Sequence, residues 1–206
     1  MLTVYGRASS RGSRCLWALE ELGIPYNHIP IDYEKGQNRD PAFLSINEAG
    51  KIPAMVDGTL TMTESLAITL YIAKTYGSGK IWPIKEPEQW HCIQWAFWAA
   101  TEFEPMASDL LDEVLFRPKD AQPRTDIIEK ARSKVNGSLT TLESALQGRS
   151  YLVGETFTVA DICVASIVKW LNGVKHPLPP NVGTWLALML ARPANQRVLS
   201  IKKAVV

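Results

Sequence analysis

Cysteine and histidine are both scarce: the 206 residues include only Cys15, Cys92 and Cys163, and only His28, His91 and His176. An odd, widely spaced set of cysteines without metal-ligand spacing excludes a disulfide framework and a zinc site, so reduced thiols in a cytoplasmic protein and no metal are expected. The histidines show neither a metal-site nor a triad pattern and are read as structural or exposed. Charge of one sign is missing too, since 22 Lys and Arg stand against 21 Asp and Glu, a net charge of +1. With no basic run, neither a nucleic-acid partner nor an acidic membrane surface is indicated. Met1-Leu-Thr-Val-Tyr5 lacks the basic start and apolar run of a signal peptide. No stretch approaches the roughly 18 apolar residues of a membrane span, which favours the cytoplasm. What remains is ordinary globular material, 46% hydrophobic and 21% charged, enough for a sizeable core and suited to a small-molecule ligand.

Two kinds of pattern divide the chain. Leu2 to Tyr5 is β-prone, the polar loop Gly6 to Gly12 leads into a helix with Cys15, Leu16, Ala18, Leu19 and Leu22 on one stripe, and Gly23 with Pro25 ends it. Tyr26 to Ile31 reads as a second strand, parallel to the first through a right-handed crossover. A charged loop from Asp32 to Asp40 and a short helical piece near Ala42 to Ile46 follow. The order β-α-β-α-β-β-α over residues 1–77 suits a thioredoxin-like mixed sheet, and Ser78 to Lys85 reads as a linker.

Beyond it the pattern is helical. Trp90, Ile93, Phe97 and Trp98 fall at helical spacing, Pro105 is placed to interrupt that helix, and Ile128 to Leu146 recurs at threes and fours. Thr158-Val-Ala-Asp161 has the spacing of a capping box with Asp in the acidic place, Phe157 is placed as a hydrophobic staple, and Val159 to Leu171 is apolar nearly all round, as a central buried helix would be. An all-α domain over 86–206 is expected.

The stretch Asn47-Glu-Ala-Gly-Lys-Ile-Pro-Ala-Met-Val-Asp57 is the most informative. It reads as a loop, a strand Ala54 to Val56, a turn at Asp57-Gly58, a strand Leu60 to Met62 and a helix opening at Glu64 or Ser65. A cis bond at Ile52-Pro53 would turn the amide groups of Ile52 outward, free to pair with an extended peptide. Ser65 sits where orphan N–H groups and the positive helix end hold a carboxylate. The alternative for each is structural: a turn-shaping proline and a capping serine.

Asn47, Gly50, Lys51, Ile52, Pro53, Ala54, Glu64 and Ser65 together resemble the glutathione-binding half of the cytosolic glutathione S-transferases, with Glu48 departing from the usual Pro. The Thr158-x-x-Asp161 cap, Trp185 and Arg192-Pro193 extend the resemblance over almost the whole chain. Ser10-Arg-Gly-Ser-Arg-Cys-Leu-Trp17 is similar to the serine loop of bacterial members, which implies Ser10 as the hydroxyl that stabilises a glutathione thiolate, with Ser9 as the alternative, Arg11 as a positive neighbour and Tyr5 as a lesser candidate. A hydroxyl donor can lower a thiol pKa by bonding the charged form.

The resemblance further implies backbone pairing of the glutathione cysteine at Ile52 beside Pro53, the γ-glutamyl end at Glu64 and Ser65, and the glycine carboxylate at Lys51 and Arg39. It implies conjugation of glutathione to hydrophobic electrophiles by a homodimer, with the electrophile pocket in the helical domain, where Trp95, Trp98, Phe103, Met106 and Phe116 are candidates. A glutathione-dependent isomerase or peroxidase, or a non-catalytic binding or stress-response subunit, are the rival readings. Cys15 belongs to the apolar stripe and is read as core.

Overall fold

The computed structural model describes residues 1–118, 122 and 124–204, the side chains of 202–204 excepted. It divides into two compact units, Met1–Ile84 joined by the segment from Ala191, and Lys85–Leu190.

In the first unit, Leu2 and Val4 are buried and Thr3 and Tyr5 half-buried, the period of two that a strand imposes. They form β1 (Thr3–Tyr5), and α1 (Gly12–Leu22) follows. The expected stripe of α1 is buried. The helix stops at Gly23, whose φ of 65° lets its N–H reach the Leu19 carbonyl at 3.0 Å, a conformation open to a residue without Cβ. β2 (Asn27–Ile29) is shorter than the 26–31 run, because Pro25 and Pro30 flank it and neither can donate to a ladder.

After α2 (Pro41–Leu44) come β3 (Ala54–Asp57), β4 (Leu60–Thr63) and α3 (Ser65–Tyr76). The sheet order is β2-β1-β3-β4, with β1 parallel to β2 and antiparallel to β3, and β3 antiparallel to β4. Register sets Val4 opposite Met55 and Ala54 opposite Thr63. That is the expected mixed thioredoxin-like sheet. α3 packs on α1, with Ile68 and Ile72 fully buried, each such side chain contributing about 1.5–3 kcal/mol. Residues 78–85 are no bare linker: Ile81 and Trp82 are buried, and the N–H groups of Lys80, Ile81 and Trp82 all donate to the Gly77 carbonyl.

Among the described residues, the second unit is built on helices and no strand: α4 (Glu86–Trp98), α5 (Glu104–Leu111), α6 (Thr125–Ala145), α7 (Val159–Val168) and α8 (Pro180–Leu190). A wide π-turn, Ala99–Phe103, joins α4 to α5 just ahead of Pro105. A proline cannot donate and crowds the carbonyl four residues back, and the wider turn removes that conflict without ending the helix. Cys92 and Ala96 are the buried residues of α4, whereas Trp90 and Phe97 are 62% and 64% exposed. On α6, Ala131, Val135, Leu139 and Leu142 are buried, and all ten residues of α7 are.

Two helix starts in this unit are closed by carboxylates. Asp161 completes the capping box of α7, accepting from the Thr158 N–H at 2.9 Å, and also takes the Leu152 N–H and the Trp185 indole N–H, both at 3.0 Å. Glu143 on α6 accepts from the N–H groups of Asn181 and Val182 in the first turn of α8, at 3.1 and 3.0 Å.

The tail differs from the expected 86–206 grouping. α9 (Pro193–Ala204) belongs with the first unit and lies on α1, where Ala194, Asn195 and Val198 are buried and Arg192 forks onto Glu21 at 2.6 and 2.8 Å. Among the described residues, no helix is long and apolar enough to cross a membrane.

Candidate functional site

A hollow of about 420 Å³ opens in the first unit between the loop before β3 and the start of α3, lined by Arg11, Tyr33, Lys51, Ile52, Pro53, Glu64 and Ser65 together with Asn47, Ala49 and Thr63. Five residues that the sequence singles out for ligand binding (Lys51, Ile52, Pro53, Glu64 and Ser65) thus meet in one cavity with Arg11.

The start of α3 is built unlike an ordinary cap. Glu64 holds φ 67° and ψ 106°, a conformation that costs a residue with a side chain about 1–3 kcal/mol and persists only where its surroundings impose it. No side chain caps the helix there. Ser65 is buried and its Oγ accepts from Nη1 of the buried Arg14 at 3.2 Å, so its own proton is available to an acceptor in the hollow. The site therefore combines open helix N–H groups, a hydroxyl donor and the positive helix end, which suits a carboxylate. The exposed Glu64 carboxylate beside them suits an ammonium. Arg14 was not singled out from the sequence, although a charged residue in the otherwise apolar stripe of α1 was its visible sign.

The Ile52-Pro53 bond is cis. The Ile52 N–H, which the sequence leaves free to pair with a peptide, instead donates to the Tyr33 hydroxyl at 3.1 Å, and that hydroxyl donates in turn to the Gly50 carbonyl at 3.3 Å. Tyr33 is a wall of the hollow that sequence reasoning missed. The Gly50 carbonyl also accepts from Asn38 Nδ2 at 3.1 Å, and Asn47 Nδ2 donates to the Lys51 carbonyl at 2.6 Å, so buried amides hold this loop. Gly50 is required: at φ 62°, an added Cβ would lie 2.8 Å from the Asn38 carbonyl oxygen and 2.9 Å from Arg39 Nη1. Arg39 thus stands against Gly50, behind the lining rather than in it.

Neither Ser9 nor Ser10 lines the hollow. Ser10 shapes the entry to α1, its Oγ donating to the Arg7 carbonyl at 2.7 Å and accepting from the Gly12 N–H at 3.1 Å. Ser9 is exposed. A Cβ built on Gly12 would lie 3.4 Å from Ser10 Oγ and 3.6 Å from Pro53 Cβ, so the serine loop and the proline loop face each other closely. Tyr5 lies outside the hollow, in an apolar cluster with Phe43, Ile31 and Ala54.

Cys15 is fully buried, its thiol donating to the Ser65 carbonyl, and burial pushes its pKa up to about 11, which suits the core role read from the sequence. His28 bonds the Gly6 carbonyl and His91 pairs with Gln94. His176 is buried between Asn136 and Arg132. Of the aromatic candidates in the helical unit, Trp98 stands between Trp95 and Phe103, with ring centroids 5.1 and 5.6 Å from its own; Phe103 is completely buried and Phe116 is 71% exposed.

Comparison with known proteins adds the following. The family model described as glutathione S-transferase, N-terminal domain, matches residues 1–74, and that described as glutathione S-transferase, C-terminal domain, matches residues 103–193. A glutathione S-transferase of Hyoscyamus muticus is 30% identical, the match covering 98% of this chain and 99% of that protein. Glutathione S-transferase 3 of Zea mays is 32% identical over 97% of this chain and 93% of its own. Among solved structures, glutathione transferase F2 of Populus trichocarpa superposes with a TM-score of 0.87 at 26% identity, covering 99% of this chain and all of the other. The theta class glutathione S-transferase of Xanthomonas axonopodis pv. citri, solved with glutathione bound, gives 0.86 at 31% identity over 95% of each chain.

Proposed function

The chain belongs to the glutathione S-transferase family, and we propose that it conjugates the glutathione thiolate to hydrophobic electrophiles. The observation that carries this reading is the hollow at the start of α3, where a strained Glu64 and an uncapped Ser65 face Lys51, Ile52 and Arg11. Glutathione is a tripeptide with two carboxylates, an ammonium and a thiol; the hollow offers a counterpart to each charged group, and the serine loop beside it one to the thiol. Ser65 and the α3 N–H groups take the γ-glutamyl carboxylate, Glu64 its ammonium, and the Ile52 backbone the cysteine amide. Lys51, with Arg39 behind it, supplies the charge for the glycine carboxylate.

Ser10 donates to the sulfur by turning its hydroxyl from the Arg7 carbonyl, with Arg11 adding positive potential. Such a donor favours the thiolate without acting as a base. We assign glutathione binding to residues 1–77 and the electrophile to the helical part of residues 86–206. The Ser10-Arg11 and Arg14 run supports the bacterial, serine-loop type, with Ser9 as the alternative donor. Homodimerisation is supported by Trp90 and Phe97, two large aromatics left bare on one stretch of α4, and a cytoplasmic setting by three cysteines that form no disulfide.

Ultraviolet titration of bound glutathione, together with turnover against a small panel of electrophiles, tests the proposal. The expected result is a thiolate band at neutral pH with turnover, and Ser10→Ala is expected to raise the thiol pKa while glutathione affinity holds. A band without conjugation would favour a binding or stress-response subunit. Turnover only of peroxides or of isomerisable substrates would move the activity to a peroxidase or isomerase.

A further inference from the structure

We propose that Tyr33 is a specificity-determining residue of the ligand site: its hydroxyl holds the Ile52 N–H in the ligand-free protein, in the place of a peptide carbonyl, and is displaced when glutathione binds. The proposal rests on the reading of the hollow as a glutathione site.

The Ile52 N–H meets the Tyr33 hydroxyl at 3.1 Å and has no other acceptor among the described residues. A single N–H does not make two linear hydrogen bonds, so a ligand amide that pairs with Ile52 must evict the hydroxyl. Eviction is cheap on the tyrosine side. The residue is 43% exposed and its hydroxyl finds water readily. The Gly50 carbonyl, which also loses the Tyr33 donor, keeps the Asn38 Nδ2 donor at 3.1 Å.

The exposed Ile52 N–H then takes its new acceptor from a ligand carbonyl at that height or, without one, from water. A ligand reaching only the Glu64 and Ser65 end leaves the latch closed. Tyr33 therefore weakens only those ligands that extend across the Pro53 loop as a peptide does, and so narrows the margin between them and shorter ligands held at the Glu64 and Ser65 end.

Calorimetry on the full chain with glutathione, and with a γ-glutamyl alkylamide that carries only the γ-glutamyl end, tests this. Tyr33→Phe removes the competing hydroxyl and is expected to tighten glutathione by about 2- to 10-fold, the factor that the net worth of one neutral hydrogen bond amounts to. The alkylamide should be bound equally by both proteins. Tyr33→Leu, which removes ring and hydroxyl together, is expected to show the same gain.

Without ligand, the Ile52 amide should exchange its hydrogen faster in Tyr33→Phe than in the wild type. Equal or weaker glutathione binding by Tyr33→Phe, an equal gain for the alkylamide, or an unchanged Ile52 exchange rate would each overturn the latch while leaving the site reading intact. Absence of glutathione binding to the wild type would overturn that reading and the latch with it.

Discussion

The starts of α3 and α7 present the same problem, a set of backbone N–H groups with no partner in the helix, and resolve it in opposite ways. At α7 the buried Asp161 closes the end with four donors of its own chain, and at α8 Glu143 closes the end from a neighbouring helix. At α3 no side chain caps the end, and the residue before it is strained. The α7 and α8 starts are closed by carboxylates of the fold, whereas the α3 start, with a strained residue before it, is left for the anion that the proposed function brings from outside. The cost at Glu64 is borne by the fold.

The sharpest way to break this contrast is Asp161→Ala. Four buried donors would lose their acceptor, and the expected cost is about 3–5 kcal/mol of unfolding free energy, read from urea denaturation, with the glutathione affinity of the folded fraction unchanged. A cost below about 1 kcal/mol would mean that the α7 end needs no anion.

Next in size is Ser65→Ala, expected to weaken glutathione by roughly 1.5–3 kcal/mol, the range for a hydrogen bond to a charged group. Calorimetry checks it, and an unaltered dissociation constant would remove Ser65 from the ligand. Glu64→Gly separates the two roles of the α3 start. Relief of the positive φ is expected to leave the protein as stable as before or up to about 1 kcal/mol more stable, since strain relief outweighs the added freedom of the unfolded chain. Glutathione affinity should fall at the same time. A clear loss of stability would show that Glu64 is structural after all.

The smallest expected effect is a pH dependence confined to the closed, helical unit. Burial, then the neighbouring Arg132, hold the His176 pKa below its ordinary value. The ring is neutral, with Nε2 donating to Asn136 Oδ1 at 2.8 Å and Nδ1 accepting from Arg132 Nη1 at 3.3 Å. Because the folded pKa lies below the unfolded one, the unfolded chain takes up the proton first on acidification. The contribution is thus complete above roughly pH 6.5 and is lost as pH falls toward the folded pKa. Urea midpoints should drop more for the wild type than for His176→Gln between about pH 7.5 and about pH 5.5. Parallel curves would remove His176 from the acid dependence.

What was legible in the sequence was what is local. The Thr158-to-Asp161 cap, the stop at Gly23, the Asp57-Gly58 turn and the strand-loop-helix order are written within a few residues of one another, where propensity and spacing act directly. Tyr33 meets Ile52 from 19 residues away, Arg14 meets Ser65 from 51, and Glu143 meets Val182 from 39, so these pairings depended on the tertiary fold. Polar loop composition pointed to an exposed Asp32-to-Asp40 segment, and Tyr33 is indeed exposed, but nothing in that composition marks which backbone group its hydroxyl reaches. Residues 78–85 misled for a related reason: glycine and proline suggested a linker, and the burial of Ile81 and Trp82 outweighed them. On α4, spacing grouped Trp90 with Phe97 as an apolar face, while the small Cys92 and Ala96 are what the unit buries.

The clamp of α9 on α1 has a consequence in time. Glu21 and Arg192 are 171 residues apart, and Arg197 reaches back to Glu20 across 177. A ribosome adding roughly 5–20 residues per second takes some ten to thirty seconds to cover that interval. For all of it, the face of α1 that α9 covers stays open, and the first unit to be made is the last to be finished.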